Sequence, residues 1–193
     1  MAYDTNAAPV ARYSAPAIVL HWAIAILIIG NVIFAWVIEK LPDEWIRPAF
    51  DTHKSIGITV LGLVLLRITW RLGHKPPPFS AGMAMWERLL AHLTHFGLYC
   101  LMLFMPITGW LHDSAWKDAA THPMFLFGLI GWPRLGFIAN QPPQTKEMLH
   151  NLFGAFHEIG GYTLVGLVLL HVAGALKHQF IDHEREFRRM WSK

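Results

Sequence analysis

From Ala15 to Ile38 the chain runs for 24 residues without an aspartate, glutamate, lysine or arginine. A helix needs about 20 apolar residues to cross a hydrocarbon core of about 30 Å, so this run alone commits the chain to a bilayer. Leu89 to Leu111 is equally free of charge, with Pro106 as a kink that neighbouring helices tolerate, and Ile159 to Leu176 is a third such run. A fourth is shorter: beyond His53 only Ser55 to Leu66 lacks charge, so Arg67 and Arg71 must snorkel to the interface. The chain is 54% hydrophobic and 15% charged, against about a quarter charged in soluble domains. The expected fold is an all-α membrane protein, one domain over residues 1–193, with four transmembrane helices near 15–38, 53–72, 87–112 and 155–178. The polar first 14 residues carry no cleavage pattern, so the first run is expected to stay as a span.

Basic residues orient the bundle. With the N-terminus in the cytoplasm, the inside segments hold ten lysines and arginines, Arg12, Arg185 and Lys193 among them, and the outside segments six. With five acids inside and eight outside, the faces carry +5 and −2, so both termini are expected to be cytoplasmic. Pro76, Pro77 and Pro78 stiffen the inside turn. Asp113 to Asn151 forms the long outside loop, in which Met124 to Trp132 is too short to span and is expected to lie at the interface.

Twelve histidines in so apolar a chain are anomalous, since ionisable groups at membrane depth mark function. His157 and His171 sit on one helix 14 residues apart, which separates them by about 21 Å in height and about 40° in direction. His53 matches the depth of His157, and His21 that of His171. Two bis-histidine sites follow, one near each face, and axial ligation of haem is the chemistry that uses such pairs. Pairing His157 with His178 instead would separate the sites by about 31 Å and put one among the headgroups. A porphyrin lying along a helix needs small neighbours three or four residues from its ligand. His21 has Ala25, His53 has Gly57, His157 has Gly161 and His171 has Ala175, whereas His92, His95 and His178 are followed by Phe96, Tyr99 and Asp182. The single cysteine, Cys100, and the lack of C-x-x-C-H leave only non-covalent haem.

The remaining polar residues suit the surroundings of such sites. Arg67 and Arg71 near the inner pair, and Lys54 beside His53, can neutralise haem carboxylates. His92, His95 and His178 are candidates for quinone or propionate contacts and for protonating a quinone. The nine tryptophans form an interfacial belt by default. A histidine-lined metal or proton transporter is the rival from another class, but it lacks the buried carboxylates that divalent-ion sites use.

Several segments together resemble the bacterial cytochrome b561 family, related to the cytochrome b subunits of hydrogenases and formate dehydrogenases. They are Leu20-His21-Trp22, His53-Lys54-Ser55-Ile56-Gly57, Leu66-Arg67, His92-Leu93-Thr94-His95, Phe125 to Leu129, and Phe156-His157-Glu158 with His171. The resemblance implies two haem b groups, the inner on His21 and His171 and the outer on His53 and His157. It implies exchange of electrons with ubiquinone or menaquinone, and resembles most the stand-alone type that oxidises superoxide on the periplasmic side. The expected function is thus an oxidoreductase of the superoxide oxidase or quinone reductase type in the bacterial inner membrane. An outer donor, superoxide or a small periplasmic carrier, passes electrons through the outer and then the inner haem to quinone. The net outside charge of −2 gives superoxide no global attraction, leaving a local funnel around Lys54, Lys117 or Arg134. The alternative within the family is a cytochrome b subunit of a larger periplasmic dehydrogenase or hydrogenase, docking through the long loop. No nucleic-acid partner is expected.

Overall fold

The structure, a computed structural model, describes residues 12–79, 82–184 and 186–191. Arg185 and Lys193, counted in the charge balance, lie outside the described residues. Four helices are long and apolar enough to cross a membrane: α1 (Ala15–Ile38), α2 (Asp43–Gly73), α3 (Met85–Ser114) and α5 (Pro143–Phe180). Between α3 and α5 come the short strands β1 (Met124–Leu126) and β2 (Ile130–Trp132) and the one-turn helix α4 (Gly136–Ala139), and the chain ends on the one-turn α6 (Glu186–Arg189).

The helix starts follow from local chemistry. Ser14 stands extended before α1, with a proline in the first turn where its missing N–H is harmless. Pro42 precedes α2, whose first turn carries Asp43 and Glu44 on the positive end of the helix dipole. In α3 the Glu87 carboxylate accepts the Ala84 N–H at 3.0 Å, satisfying one free donor. Two helices reach farther than their apolar runs. α2 begins at Asp43 rather than near His53, and α5 at Pro143 rather than near residue 155. At 38 residues α5 is about 57 Å long, so its polar first turns stand clear of a core of about 30 Å. Hydrophobicity marks where a helix meets lipid, not where it starts.

α1 packs on α2, α2 on α3, and α3 on α5. A small core of Ile24, Val60 and Val64, with Leu27, Leu63 and Met102 around it, lies between the first three. Small residues bring α3 and α5 together: a Cβ on Gly160 would lie 2.8 Å from Met105 Sδ, and one on Gly97 2.8 Å from Leu167 Cδ1. Large apolar side chains face outward, as Ile26 at 67% and Leu169 at 65% exposure show, an arrangement that lipid tails satisfy and water does not.

The end of the bundle bearing both termini is closed by the chain itself. Tyr13 N–H donates to the Arg189 carbonyl at 3.2 Å, and the Trp22 indole to the Met190 carbonyl at 2.8 Å. At the other, loop end the Met124–Trp132 segment is an antiparallel hairpin pairing Met124 with Trp132 and Leu126 with Ile130. Positive φ at Phe127 (51°) and Gly128 (70°) reverses the chain, and the Phe127 conformation is held by its N–H donating 2.9 Å to Ser55 Oγ of α2. No alternation of apolar and polar residues announces these strands, so they were not legible in the sequence.

Candidate functional site

At the loop end the imidazoles of His53 on α2 and His157 on α5 lie with centroids 6.1 Å apart and planes at 82°. At the terminal end His21 on α1 and His171 on α5 repeat the arrangement, 6.1 Å apart at 70°. Two imidazoles bound to one metal ion from opposite sides, with bonds of about 2 Å, hold their centroids about 6 Å apart. Both pairs have the spacing that a bis-histidine haem requires.

A cavity of about 880 Å³ adjoins the loop-end pair, lined by Gly57, Gly161, Ile58 and Trp110 besides the two histidines. Its size lies within the roughly 300–1,000 Å³ of ligand pockets. A Cβ on Gly57 would meet nothing within 4 Å, and one on Gly161 only Met105 Cε at 3.7 Å, so both glycines keep the walls flat.

His157 is held in a defined orientation. Its Nδ1 lies 3.1 Å from Thr108 Oγ1, and that hydroxyl is also 2.9 Å from the Phe104 carbonyl. A hydroxyl has one proton to donate; given to Phe104, it leaves the oxygen to accept from His157 Nδ1–H, so Nε2 carries the lone pair for a ligand. Gly109 admits the ring, since a Cβ there would lie 3.1 Å from His157 Cε1. His53 differs, its Nδ1 being buried without a partner.

The other sequence-predicted residues divide. His95 lies beside the terminal-end pair, 5.2 Å ring to ring from His171. Arg67 donates to the Tyr99 hydroxyl at 3.0 Å and to the Ala17 carbonyl at 2.8 Å, while the Arg71 guanidinium lies 5.6 Å over the Tyr99 ring. These residues converge. His92 instead meets the Phe79 ring edge at 5.0 Å. His178 hydrogen-bonds Asp182 at 2.8 Å in a cluster where Lys177 bridges Glu87 (2.6 Å) and Asp182 (2.7 Å). The Lys177 ammonium, helped by His178, holds the Asp182 carboxyl below the usual carboxylate range. Lys54 already meets two carboxylates, Asp51 at 2.7 Å and Asp113 at 3.0 Å. Arg134, bonded to Asp113 at 2.8 Å and to the Ala119 and His122 carbonyls, is likewise taken up in holding the loop.

Sequence reasoning missed Thr108, Gly109 and Arg47. Arg47 lines the loop-end cavity with its guanidinium 5.0 Å over the Trp116 ring, and no ion pair to it is found among the described residues. The signal that could have found it was the extension of α2 beyond the apolar run. His112 and His150 also escaped assignment: their rings stack at 3.8 Å, and each Nδ1 bonds the other's carbonyl, at 2.9 and 3.1 Å, pinning α3 to α5.

Residues 12–193 match the family model of prokaryotic cytochrome b561. The chain belongs to the prokaryotic cytochrome b561 family. Cytochrome b561 homolog 2 of Escherichia coli (strain K12) is 30% identical over 184 residues, covering 94% of this chain and 92% of the relative. The probable superoxide oxidase CybB of Yersinia pestis is 26% identical over 193 residues, 94% and 97% of the two chains. Cytochrome b562 of Cereibacter sphaeroides is 27% identical over 187 residues, 92% and 94%. The resemblance carried by the histidine segments is thus matched along nearly the whole chain. Membership in the cytochrome b561 family, with four apolar helices, makes this a multi-pass bacterial inner-membrane protein of electron transport whose cofactor is b-type haem.

Proposed function

We propose that this cytochrome b561 holds two b-type haems, one between His21 and His171 and one between His53 and His157, and links a donor on the loop side to quinone in the membrane. The observation carrying this reading is the pair of matched 6.1 Å histidine separations at two depths along α5. When bound, the haems supply one-electron transfer through a bilayer that no free charge crosses. The residues do the rest. Thr108 sets the tautomer of His157, while Gly57 and Gly161 leave room beside the ligands. Arg47 takes the carboxylate-neutralising role first given to Lys54, and Arg67 and Arg71 serve the terminal-end site, where His95 or Tyr99 offers protons to a quinone. The terminal end faces the cytoplasm, in keeping with its excess of basic residues.

The donor is superoxide, and the acceptor ubiquinone or menaquinone. Two superoxide anions lose one electron each to give two O₂, and a quinone takes both electrons with two protons to give quinol. The relative named as a probable superoxide oxidase supports this donor, as do Arg47 at the cavity wall and the exposed Lys117 on the same side. The test is haem content in full-length variants. His53→Ala and His157→Ala should each remove the same haem and leave the other, and His21→Ala and His171→Ala the reverse. Equal loss of both haems in any one variant contradicts the pairing. A superoxide-dependent rate of quinol formation no greater than that of free haem rejects the donor.

A further inference from the structure

Apart from its tryptophans, α1 carries two polar side chains between Ala17 and Ile38, His21 and Asn31. His21 has a place in the terminal-end pair. Asn31 lies ten residues on, about 15 Å along the axis, at the depth of the loop-end pair and on the wall of its cavity. An amide at that depth needs partners, because hydrocarbon offers none. Its Nδ2 donates to the backbone carbonyl of His53 at 3.2 Å. Its Oδ1 is buried with no partner, and so is His53 Nδ1. One residue thus holds an acceptor lacking a donor, and its neighbour a donor site whose nearest main-chain acceptor, the Asn31 carbonyl, does not reach hydrogen-bond geometry.

Resting on the haem reading above, we propose that Asn31 is the positioning residue for His53: its Oδ1 accepts the His53 Nδ1–H, fixing the tautomer and aiming Nε2 at the loop-end site. The two atoms are not bonded in this side-chain arrangement, so the amide must turn to present Oδ1 to the ring. A purely structural role, tying α1 to α2, accounts for the Nδ2 bond and leaves Oδ1 unexplained. The opposing ligand sets the precedent, since Thr108 already performs this task for His157. Accepting the Nδ1–H makes an imidazole a stronger donor to its metal and favours the oxidised form. Losing that acceptor therefore raises the midpoint potential of this haem alone.

The experiment is a redox titration of the full-length protein in detergent, the loop-end haem being identified as the one His53→Ala removes. In Asn31→Leu, which keeps similar bulk, that haem should stay bound and its ferric/ferrous equilibrium should shift roughly tenfold toward ferrous, about +59 mV for a one-electron couple. The other haem should not move. If Asn31→Leu sheds the haem, Asn31→Asp keeps an acceptor at the same place and should retain it with a lowered potential. Unmoved potentials in Asn31→Leu, equal shifts of both haems, or loss of the loop-end haem in both variants overturn the proposal. Failure of His53→Ala to remove a haem from the wild-type complement sinks the ligand pairing itself, a separate result.

Discussion

Replacing Thr108 by valine removes one hydroxyl while keeping a branched side chain of the same shape. The helix loses only side-chain bonds to the Phe104 and Met105 carbonyls, which retain their backbone roles, so α3 should fold unchanged. His157 loses the acceptor 3.1 Å from its Nδ1. An unsatisfied buried donor costs about 1–3 kcal/mol, an upper bound here because the Met105 carbonyl also lies beside the ring. At about 1.4 kcal/mol per factor of ten, that is roughly a 5- to 150-fold weaker hold on the loop-end haem, in line with the about 10–100-fold typical of residues that orient metal ligands. The assay is transfer of haem from the purified protein to an excess of a haem-scavenging apoprotein, followed for each site by its own absorption. Thr108→Val should speed loss from the site that His53→Ala empties and leave the other at the wild-type rate. Loss at the wild-type rate from both sites, or equal acceleration of both, refutes the argument that Thr108 acts through His157.

Two further predictions concern the ends of the bundle. Asp113→Asn takes away the carboxylate that Lys54 and Arg134 share; with Asp113 and Arg134 side chains only 10% exposed, the loss should approach the about 3–5 kcal/mol of a broken buried pair. Thermal unfolding in detergent measures it, and an unchanged midpoint would show that the network adds little. At the terminal end, the lowered Asp182 pKa means that its bonds to Lys177 and His178 contribute fully above the ordinary carboxylate pKa and are lost as pH falls through the lowered value. Amide exchange at residues 181–184 should therefore quicken in acid, and an identical acid transition in Asp182→Asn would remove Asp182 from the explanation.

Much of the candidate site could be read from one helix. His157 and His171 differ in depth by the product of their spacing and the helical rise, a quantity independent of tertiary packing. Their partners, His21 and His53, were picked out by depth alone, and the folded chain brings each to 6.1 Å from its mate. Lys54 shows where such reading stops. Next to a proposed ligand it looked free to meet a haem carboxylate, yet Asp113, 59 residues away, sits against it. Arg47 was passed over because the helix was taken to begin with its apolar run, and α2 begins at Asp43.

The sequence by itself determined that four helices are apolar enough to cross a bilayer and how far apart histidines on one helix stand, because lipid selects for uncharged runs and the helix converts residue number into height. Tertiary structure decided which side chains are spoken for. Thr108 meets His157 across 49 positions, Asn31 meets His53 across 22, and Lys54 meets Asp113 across 59. These contacts depend on how each helix is turned about its own axis. Packing of small residues such as Gly109 and Gly160 sets that rotation, and hydropathy, blind to direction around the helix, does not record it.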